Sequence, residues 1–465
     1  MVETAFVSII IVNYNGAHYL PACLDALRQQ TYPADRFEVI VSDNGSTDAT
    51  LPLLRDQYPW VILLENGCNL GFATGNNVAF AQARGDYIVL LNNDTAPAPG
   101  WLEHMISVAQ DDPQIGLVTG HLQLFYPQLE VDIIAETYIP EGDGRELGVV
   151  LSLVDSGAMR GVVQYLNGFY GNEAYSLYGS YRWTQGEATL GVPVPPGDGD
   201  WSLTLKLAAP RPDDHPVSVK ILSQGTILAE YELAGQELHT KNIEMPAFTR
   251  QAARPVEQNT GSLIFPSGAG RDRGTYVRNL EVFFESDTGR YTKVEEVFSG
   301  CGASLLLRRA TLEQIGTLDD DFFMYYEDTD LSWRTWLGGW KVVYAPQALI
   351  PHIHCGTTKE WSPFFFFLTE RNRLAMVFKN GTLHQLLRVW GGYFLKVMRL
   401  GLETLWMLLF RRPGWRARGG LVRVHLRVMG NLLIWLPALI AKRYWIHKYA
   451  KVKAGSLEHW FVNAE

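Results

Sequence analysis

The sequence predicts an α/β protein that is interrupted by an all-β segment and followed by a basic helical tail. Three changes of pattern along the chain support this. Residues 1–125 alternate short apolar runs with amphipathic stretches, residues 144–255 are rich in Gly and Pro, and the residues after 361 are apolar and basic. A chain of 465 residues with 47% hydrophobic and 19% charged residues is long enough for more than one globular core.

The first α/β half is predicted from apolar runs of strand length that are separated by helix-like segments. The strand candidates are 6–12, 37–41, 60–64, 87–91 and 115–118. The helix candidates are 19–30, 49–57 and 75–83. Continuous apolar strands that alternate with helices are typical of a mainly parallel sheet covered on both faces. Ligands bind such sheets beyond the carboxyl ends of the strands.

The middle of the chain has a different pattern. Apolar and polar residues alternate at 201–207 and at 217–221, and a Pro-Pro-Gly-Asp-Gly turn signal lies at 195–199. Short alternating strands with such turns predict a β-sandwich. The α/β pattern returns at about residue 261, so we expect the sandwich to be inserted. The predicted domains are an α/β half at 1–140, an inserted β-sandwich at 141–260, a second α/β half at 261–380 and a basic amphipathic helical tail at 381–465.

The tail carries a strong excess of positive charge. Residues 371–453 contain 17 Lys or Arg and one acidic residue, Glu403, so their net charge is +16. Since the net charge of the whole chain is −9, the remaining residues have a net charge of −25. Its Leu, Trp, Val and Met content favours an anionic membrane surface over nucleic acid as the partner. The longest nearly uncharged stretch, 428–441, contains Pro437 and is shorter than the ~20 residues that a spanning helix needs. We therefore expect peripheral attachment.

Other features exclude several classes of protein. No signal-peptide pattern precedes the first strand. The cysteines Cys23, Cys68, Cys301 and Cys355 form no CxxC pair, which argues against a disulfide framework or a zinc site and favours a reducing cytosol. Neither GxGxxG nor GxxxxGK[ST] occurs, which argues against a dinucleotide oxidoreductase and a P-loop enzyme.

Polar residues follow three of the predicted strands, at Asn13, Asp43 and Asp94. A carboxylate at a strand end, such as Asp94 in Asn-Asn-Asp, can hold a divalent cation against a diphosphate. Asp43 can accept a hydrogen bond from the imide N–H of uracil or thymine. Structural alternatives stay open, because Asn13 and Asn15 can cap a helix and both aspartates can close turns.

An acidic motif follows an aromatic run in the second α/β half. One carboxylate of Glu327 and Asp328 can act as a general base, and the imidazole of His352, 24 positions after Asp328, can complete a metal shell. His354 competes with His352 for that role. The alternative is that these acidic residues only stabilise the N-terminus of the following helix. Of the acidic residues in the motif, Asp330 fits this structural role best.

Three neighbouring patterns have less specific interpretations. The glycine run at 299–303 permits close backbone approach. The Arg-Asn-Arg run at 371–373 either reaches a diphosphate or begins the basic tail. The four phenylalanines at 364–367 favour packing of the tail helices, and Trp183 and Trp201 favour burial in the sandwich core.

Taken in order, these motifs resemble the inverting family-2 glycosyltransferases, in particular their rhamnosyltransferase-like branch. The resemblance covers about residues 5–135 and 260–380. It rests on VSIIIVNYNG at 7–16, VSDNGSTD at 41–48, NLGFA at 69–73 with GNN at 75–77, LNND at 91–94, FFMYYED at 322–328 and PH at 351–352. The LNND block departs from the commoner Asp-x-Asp of the family, because Asn92 stands where the first aspartate would be.

The resemblance implies a GT-A fold, a nucleotide-diphospho-sugar donor, a divalent cation (Mn²⁺ or Mg²⁺) and inversion at the anomeric carbon. It implies that Asp328 is the catalytic base with Glu327 beside it, and that Asp94 and His352 hold the metal. The donor-binding residues that it implies are Asn13, Asn15, Asp43, Asn44, Gly71, Asn76, Asn92 and Asn93. The insert also resembles a carbohydrate-binding-like β-sandwich module of some bacterial glycosyltransferases.

The function that these inferences predict is metal-dependent transfer of a sugar from a UDP- or dTDP-linked donor to a glycan or lipid-linked glycan. We expect it in bacterial surface polysaccharide synthesis, at the cytoplasmic side of the cell membrane, with no nucleic-acid partner. The alternative is a carbohydrate-binding scaffold whose α/β domain is catalytically silent. A nucleotide-sugar-synthesising enzyme is disfavoured, because the chain lacks the expected Gly- and Lys/Arg-rich triphosphate loop near its N-terminus.

Overall fold

The computed structural model describes residues 4–175, 177–279, 281–354, 362–412 and 414–463, so Cys355 lies outside the described residues. The chain forms two compact units. The α/β unit is Met1–Leu122, Asn259–Arg273 and Tyr291–Glu465, and the β unit is Gln123–Gln258 and Gly274–Arg290. The β unit thus begins before the predicted boundary at 141, because residues 128–135 form a strand that pairs with strands of the insert.

Strands and helices alternate in the first part of the chain, as the periodicity predicts. The strands are β1 (Val7–Asn13), β2 (Phe37–Asp43), β3 (Ile62–Glu65), β4 (Tyr87–Leu91), β5 (Ile115–Leu124), β6 (Gln128–Ala135), β7 (Val150–Asp155), β8 (Gln164–Phe169), β9 (Glu173–Tyr175), β10 (Gly179–Pro193), β11 (Trp201–Ala209), β12 (Val217–Ser223), β13 (Thr226–Leu233), β14 (Gly235–Met245), β15 (Glu257–Asn259), β16 (Ser262–Ile264), β17 (Gly270–Asp272), β18 (Thr275–Arg278), β19 (Glu281–Phe284), β20 (Glu295–Glu296), β21 (Ser304–Arg308) and β22 (Lys341–His352). The α-helices are α1 (Leu20–Arg28), α2 (Thr50–Gln57), α3 (Gly71–Phe80), α4 (Trp101–Asp111), α5 (Phe248–Ala252), α6 (Arg309–Ile315), α7 (Glu327–Leu337), α8 (Pro363–Asn380), α9 (Leu383–Leu409) and α10 (Trp415–Tyr449).

The main sheet of the α/β unit has the strand order β20-β22-β5-β21-β4-β1-β2-β3. β4, β1, β2 and β3 are parallel, whereas β21 is antiparallel to both β4 and β5. The α/β class is confirmed, but the expectation of a mainly parallel sheet is wrong for the half that contains β21. That strand follows the β unit in sequence and enters the sheet at the carboxyl end of β4, so it must run in the opposite direction.

Both faces of this sheet are covered, which explains its continuous apolar strands. Val7, Ile9 and Ile11 of β1 pack into one core with residues of α1 and α4. Ile10 points to the opposite face and packs into a second core with residues of α3, α7 and α8. Because side chains alternate along a strand, burial on both faces requires apolar residues at successive positions.

The β unit contains an antiparallel sheet of order β13-β12-β6-β10-β7-β11-β14. The alternation that predicted β11 separates its two faces, because Leu203 and Leu205 are fully buried while Ser202 is exposed. Trp183 and Trp201 are each 8% exposed, so both lie in the core as the sequence favours.

Three long helices end the chain. Ser362 caps α8 by accepting a hydrogen bond from the Phe365 N–H, and Thr382 caps α9 in the same way. Helix α10 continues through Pro437. It is the one helix, among the described residues, that is long and apolar enough by length and composition to cross a membrane. Only 22% of its most apolar 18-residue window is buried.

Candidate active site

Polar side chains meet at the edge of the sheet where β1, β2 and β4 end. The parallel register of β1 and β2 places Asn13 beside Asp43. Asn13 Nδ2 donates to Asp43 Oδ1 at 3.2 Å, and Asn93 Nδ2 donates to Asn13 Oδ1 at 2.7 Å. All three side chains are at least 95% buried. The structure therefore brings together polar residues from three strand ends, where the sequence predicts a ligand site.

The Asp43 carboxylate also holds the loop after β2. Ser46 donates from Oγ to Asp43 Oδ1 at 2.6 Å and from its backbone N–H to Oδ2 at 2.9 Å. Gly45 lies between them with a φ of 73°, a conformation that glycine adopts without strain. Asn15 Oδ1 accepts from the Thr47 N–H at 2.7 Å. Asp43 and Asn15 thus have the turn-forming contacts that the sequence left open, and their contact with a donor stays a prediction.

Three more of the predicted donor-binding residues shape the start of α3. Asn44 Nδ2 donates to the Gly71 carbonyl at 2.9 Å, and Asn76 Nδ2 donates to the Phe72 carbonyl at 2.8 Å. Gly71 has a φ of 78°, and a Cβ at this position would lie 2.5 Å from atoms of Phe323. These residues hold α3 against the loop that contains Phe323. Their contact with a donor also stays a prediction.

The predicted metal ligands come together at the end of β22. An isolated bridge joins Thr95 to His352, and the Ile353 N–H donates to the Asp94 carbonyl at 3.0 Å. His352 Nε2 consequently lies 3.2 Å from Asp94 Oδ1 and 3.4 Å from Asn92 Nδ2. Asp94 and His352 are 6% and 8% exposed. A carboxylate oxygen and an imidazole nitrogen thus face each other beyond the carboxyl end of β4.

This pair fits a divalent cation. Among the described residues, Asp94 Oδ1 accepts no hydrogen bond of good geometry, and the one contact recorded for it is with the His352 ring nitrogen, which can itself bind a metal. The part of the chain that the structure describes contains no group of three or more His, Cys, Asp or Glu side chains arranged to hold a metal. A site with two protein ligands suits Mg²⁺ or Mn²⁺, because such ions keep several water or phosphate oxygens.

Asp328 lies in the first turn of α7, where backbone N–H groups point toward it. Its Oδ2 accepts from the Gly302 N–H at 3.0 Å, and its Oδ1 accepts from the Thr329 N–H at 2.6 Å. Burial raises the pKa of Asp328, and these hydrogen bonds oppose the rise because they favour the ionised form. Asp328 therefore has the environment of a carboxylate that is oriented by backbone groups and can accept a proton.

Glu327 has a different environment although it is the next residue. It is 6% exposed, and its Oε2 has no hydrogen-bond partner among the described residues. Burial, with a smaller contribution from the charge of Asp328, raises the pKa of Glu327 to about 8. The two neighbouring carboxyl groups thus have different environments, and near neutral pH Glu327 carries a proton that it can donate in a hydrogen bond.

One short segment connects the metal pair with the acidic motif. The Asn92 N–H donates to the Ala303 carbonyl at 3.1 Å, and the preceding residue, Gly302, donates to Asp328. A Cβ at Gly302 would lie 3.3 Å from the Phe72 ring and 3.6 Å from Asp328 Oδ2. The close approach that the glycine run predicts is therefore present, and it brings Asp328 to the end of β4.

The loop before α7 has a strained backbone. Phe323, Tyr325 and Tyr326 have φ values of 61°, 72° and 68°, although none is glycine. Phe323 also has a ψ of −60°, and the Met324 N–H donates to the Phe322 carbonyl at 2.6 Å. That combination is a γ-turn of the rarer, strained type. Each such residue costs about 1–3 kcal/mol, so surrounding contacts must hold the loop in place.

Those contacts come from α8. Asn372 and Arg371 donate to carbonyl groups of the loop, and the rings of Phe364 and Phe365 contact those of Phe323 and Tyr325. The Arg-Asn-Arg run therefore supports the loop rather than only beginning the tail, and the phenylalanines have the packing role that the sequence favoured.

A buried ionic cluster joins the same region to the tail. Lys379 of α8 is 1% exposed and lies between Asp319 and Asp330, with its Nζ 2.9 Å from Asp330 Oδ1. Lys442 of α10 reaches both Asp319 and Asp321. Burial opposes the ionisation of Asp319, but the two lysines hold its pKa well below the usual range. Arg334 Nε of the same helix also lies 2.9 Å from Asp330 Oδ2.

Sequence reasoning missed one carboxylate near this site. Asp272 accepts hydrogen bonds from Asn259 Nδ2 at 2.7 Å and from Ser262 Oγ at 3.1 Å. Burial raises its pKa, and both His354 and Asp328 are close enough to contribute. Asp272 lies in a short hairpin outside every recognised motif, and no periodicity in the sequence indicates its position.

Two segments of the chain match family models. Residues 8–128 match the model described as Glycosyl transferase family 2, and residues 246–446 match the model described as Glycosyl transferase family group 2. The glycosyltransferase AglE of Haloferax volcanii is 34% identical over 125 residues, which are 26% of this chain and 41% of that protein. An uncharacterized glycosyltransferase of Haemophilus influenzae is 27% identical over 141 residues, which are 30% of this chain and 43% of that protein. The chain thus spans less than half of the length of these relatives.

Among solved structures, the mannosyltransferase PcManGT of Pyrobaculum calidifontis, in complex with GDP-Man and Mn²⁺, is 13% identical. The match covers 93% of this chain and 88% of that one, with a TM-score of 0.40. The two matched segments and the curated relatives thus show that residues 8–128 and 246–446 are similar to family-2 glycosyltransferases.

Proposed function

We propose that the protein transfers a sugar, with inversion, from a UDP- or dTDP-linked donor to a glycan or lipid-linked glycan in bacterial surface polysaccharide synthesis. The observation that most directly supports this proposal is the geometry around Gly302 and Ala303. This segment accepts a hydrogen bond from the residue two positions before Asp94 and donates one to Asp328. A metal-capable pair and a proton acceptor thus lie on either side of one short segment, as a transfer between donor and acceptor requires.

Asp328 is the base in this proposal. Its carboxylate, held by the Gly302 and Thr329 N–H groups, takes the proton of the acceptor hydroxyl as that oxygen attacks the anomeric carbon. Glu327, protonated near neutral pH, donates a hydrogen bond that orients the acceptor. Asp94 and His352 would hold the divalent cation, which neutralises charge on the departing diphosphate.

The nucleotide side of the proposal rests on the strand-end cluster. Asp43 Oδ1 accepts hydrogen bonds from Asn13 and Ser46, whereas Oδ2 accepts one, from the Ser46 N–H. A carboxylate oxygen has room for a second donor. The imide N–H of uracil or thymine is such a donor, and this is why we favour pyrimidine nucleotides over purine ones.

Release of nucleoside diphosphate tests the proposal. UDP-, dTDP- and GDP-sugars are supplied with Mn²⁺ and again with EDTA, in the presence and absence of glycan acceptors. Turnover of one pyrimidine donor that chelation abolishes is the expected result. A folded protein that binds glycan but neither binds nor turns over any nucleotide sugar would instead support the carbohydrate-binding scaffold.

We also propose that the tail holds the enzyme on the cytoplasmic surface of the membrane. Leu402 and Leu409 of α9 are 64% and 68% exposed, and Ile434 of α10 is 77% exposed. Exposed Arg411 and Arg412 lie at the turn between these helices. Apolar side chains beside arginines suit the interface of an anionic bilayer.

Vesicle binding tests this location. The protein should sediment with phosphatidylcholine vesicles that contain phosphatidylserine, and high salt should weaken the binding. Leu402→Glu with Leu409→Glu should abolish it, whereas Ile139→Glu, at a 66% exposed position of the β unit, is the matched control. Retention in cell membranes after carbonate extraction would contradict peripheral attachment and favour a span by α10.

A further inference from the structure

Asn372 occupies a fully buried position on α8, and its side-chain amide faces the strained loop. Its Nδ2 donates to the carbonyls of Phe322 at 2.9 Å, Met324 at 2.8 Å and Tyr325 at 2.8 Å. An amide nitrogen has two hydrogens, so at least one of them is shared between two carbonyls. One side chain thus binds three of the four residues that lead from the γ-turn to Tyr326.

The neighbouring Arg371 fixes the orientation of this amide. Its Nε donates to Asn372 Oδ1 at 2.9 Å, so the nitrogen of the amide is turned toward the loop. The Arg371 guanidinium also donates to the Phe322 carbonyl at 3.1 Å and lies 4.3 Å from the centre of the Trp435 ring on α10. Arg371 and Asn372 are 7% and 0% exposed, and their donors are directed at the loop. A role in binding the donor diphosphate is therefore disfavoured.

The loop that Asn372 holds leads directly into the acidic motif. Tyr326, with a φ of 68°, is the residue before α7, and Glu327 and Asp328 are the first two residues of that helix. The Phe323 carbonyl also accepts the Phe72 N–H at 2.6 Å, which ties the loop to the start of α3. Without the Asn372 amide, three carbonyls lose a donor and the loop can relax toward ordinary φ values, which moves the start of α7.

We infer that Asn372 is a positioning residue, which holds the 322–326 loop in the one conformation that presents Asp328 to the acceptor. The inference rests on the proposed role of Asp328 as base. It assigns to the C-terminal helices α8 and α10 a part in catalysis, because Asn372 belongs to α8 and the adjacent Arg371 contacts Trp435 of α10.

The test compares Asn372→Ala with Asn380→Ala. Asn380 is the matched control, since it is also fully buried on α8 but donates to Asp330 Oδ1 at 2.7 Å and has no described contact with the 322–326 loop. We expect Asn372→Ala to lower kcat about 100-fold, the loss that a displacement of roughly 1 Å produces, with donor KM within about threefold of wild type. Asn380→Ala should keep kcat within about threefold per folded molecule.

Two further readouts separate positioning from general stability. Hydrogen exchange of the amides of residues 322–326 should accelerate in Asn372→Ala but not in Asn380→Ala, whose lost contact is with Asp330 outside this segment. The acid limb of the pH–kcat/KM profile should shift in Asn372→Ala and stay in place in Asn380→Ala, because the pKa of Asp328 depends on its burial and on its hydrogen bonds from Gly302 and Thr329. If Asn372→Ala fails to fold, Asn372→Ser, which keeps one donor hydrogen, replaces it and should lie between alanine and wild type.

The inference is overturned by a folded Asn372→Ala with near wild-type turnover, by equal losses in the two variants, or by unchanged exchange of the loop. A wild-type protein without turnover of any donor is a different failure. It refutes the transferase proposal, and the exchange comparison then decides by itself whether Asn372 holds the loop.

Discussion

The buried carboxyl of Glu327 makes the fold less stable as the pH rises. Its pKa of about 8 lies above the ordinary value of 4.5, because burial opposes the charged form. Between these two values the unfolded chain has released the proton while the folded protein still holds it. The free energy of unfolding therefore falls with rising pH from about 4.5 to about 8, and it is independent of this group above that range.

The size of the effect follows from the same two values. Each pH unit between these two pKa values lowers the free energy of unfolding by about 1.4 kcal/mol. At pH 7 the raised pKa of Glu327 therefore makes the fold about 3 kcal/mol less stable than a carboxyl with the ordinary pKa would. Glu327→Gln keeps the shape of the side chain and removes the titration. We expect the variant to gain stability relative to wild type as the pH is raised, by about 1.4 kcal/mol per unit.

Equilibrium urea unfolding of both proteins from pH 5.5 to pH 8.5 measures this. Glu313→Gln, at an exposed position on α6, controls for the loss of a carboxylate. The difference between Glu327→Gln and wild type should widen up to about pH 8 and then level off. A difference that is flat across the range, or that narrows with pH, would refute the account of Glu327 as a buried neutral acid.

Three other changes have defined outcomes. Asp328→Asn should retain donor affinity by calorimetry and lose about 10²–10⁴-fold in kcat, because it cannot accept the proton; near wild-type turnover would contradict its role as base. Asp94→Asn should remove the Mn²⁺ dependence of nucleotide binding, measured as the ratio of affinities with the metal and with EDTA, while an unchanged ratio would exclude Asp94 as a ligand. Lys379→Met should destabilise the fold by about 3–5 kcal/mol in urea at pH 7, since it leaves Asp319 and Asp330 buried without that partner. Its loss should exceed that of Lys442→Met, whose side chain is 34% exposed, and equal losses would contradict this reasoning.

The parts of the site that the sequence predicts well are those set by local pattern. Asn13, Asp43 and Asn93 follow apolar strands, and parallel strands bring such ends to one edge of a sheet. Periodicity alone could not show that β21 enters between β4 and β5, since an apolar run of five residues contains no information about direction.

The remaining contacts depend on residues far apart in the chain. Asn372 binds carbonyls 47 to 50 positions before it, and no local pattern encodes such a pairing. The conformation of the loop also cannot be predicted from local preferences, because Phe323 and Tyr326 adopt backbone conformations that aromatic residues avoid. Local preference is overridden there by tertiary contacts, which is common at functional sites.

The ionic cluster of Lys379 and Lys442 determines what is lost when the C-terminal helices are removed by truncation. A chain shortened before α10 would lose Lys442, and Asp319, whose side chain is 7% exposed, would keep one of its two lysines. A chain shortened before α8 would lose both lysines together with the helices that carry them, so Asp319 and Asp330 would lose their contacts with Lys379. Truncation before α8 would also remove the Asn372 contacts with the 322–326 loop, so a more soluble variant should retain these helices and replace their exposed leucines.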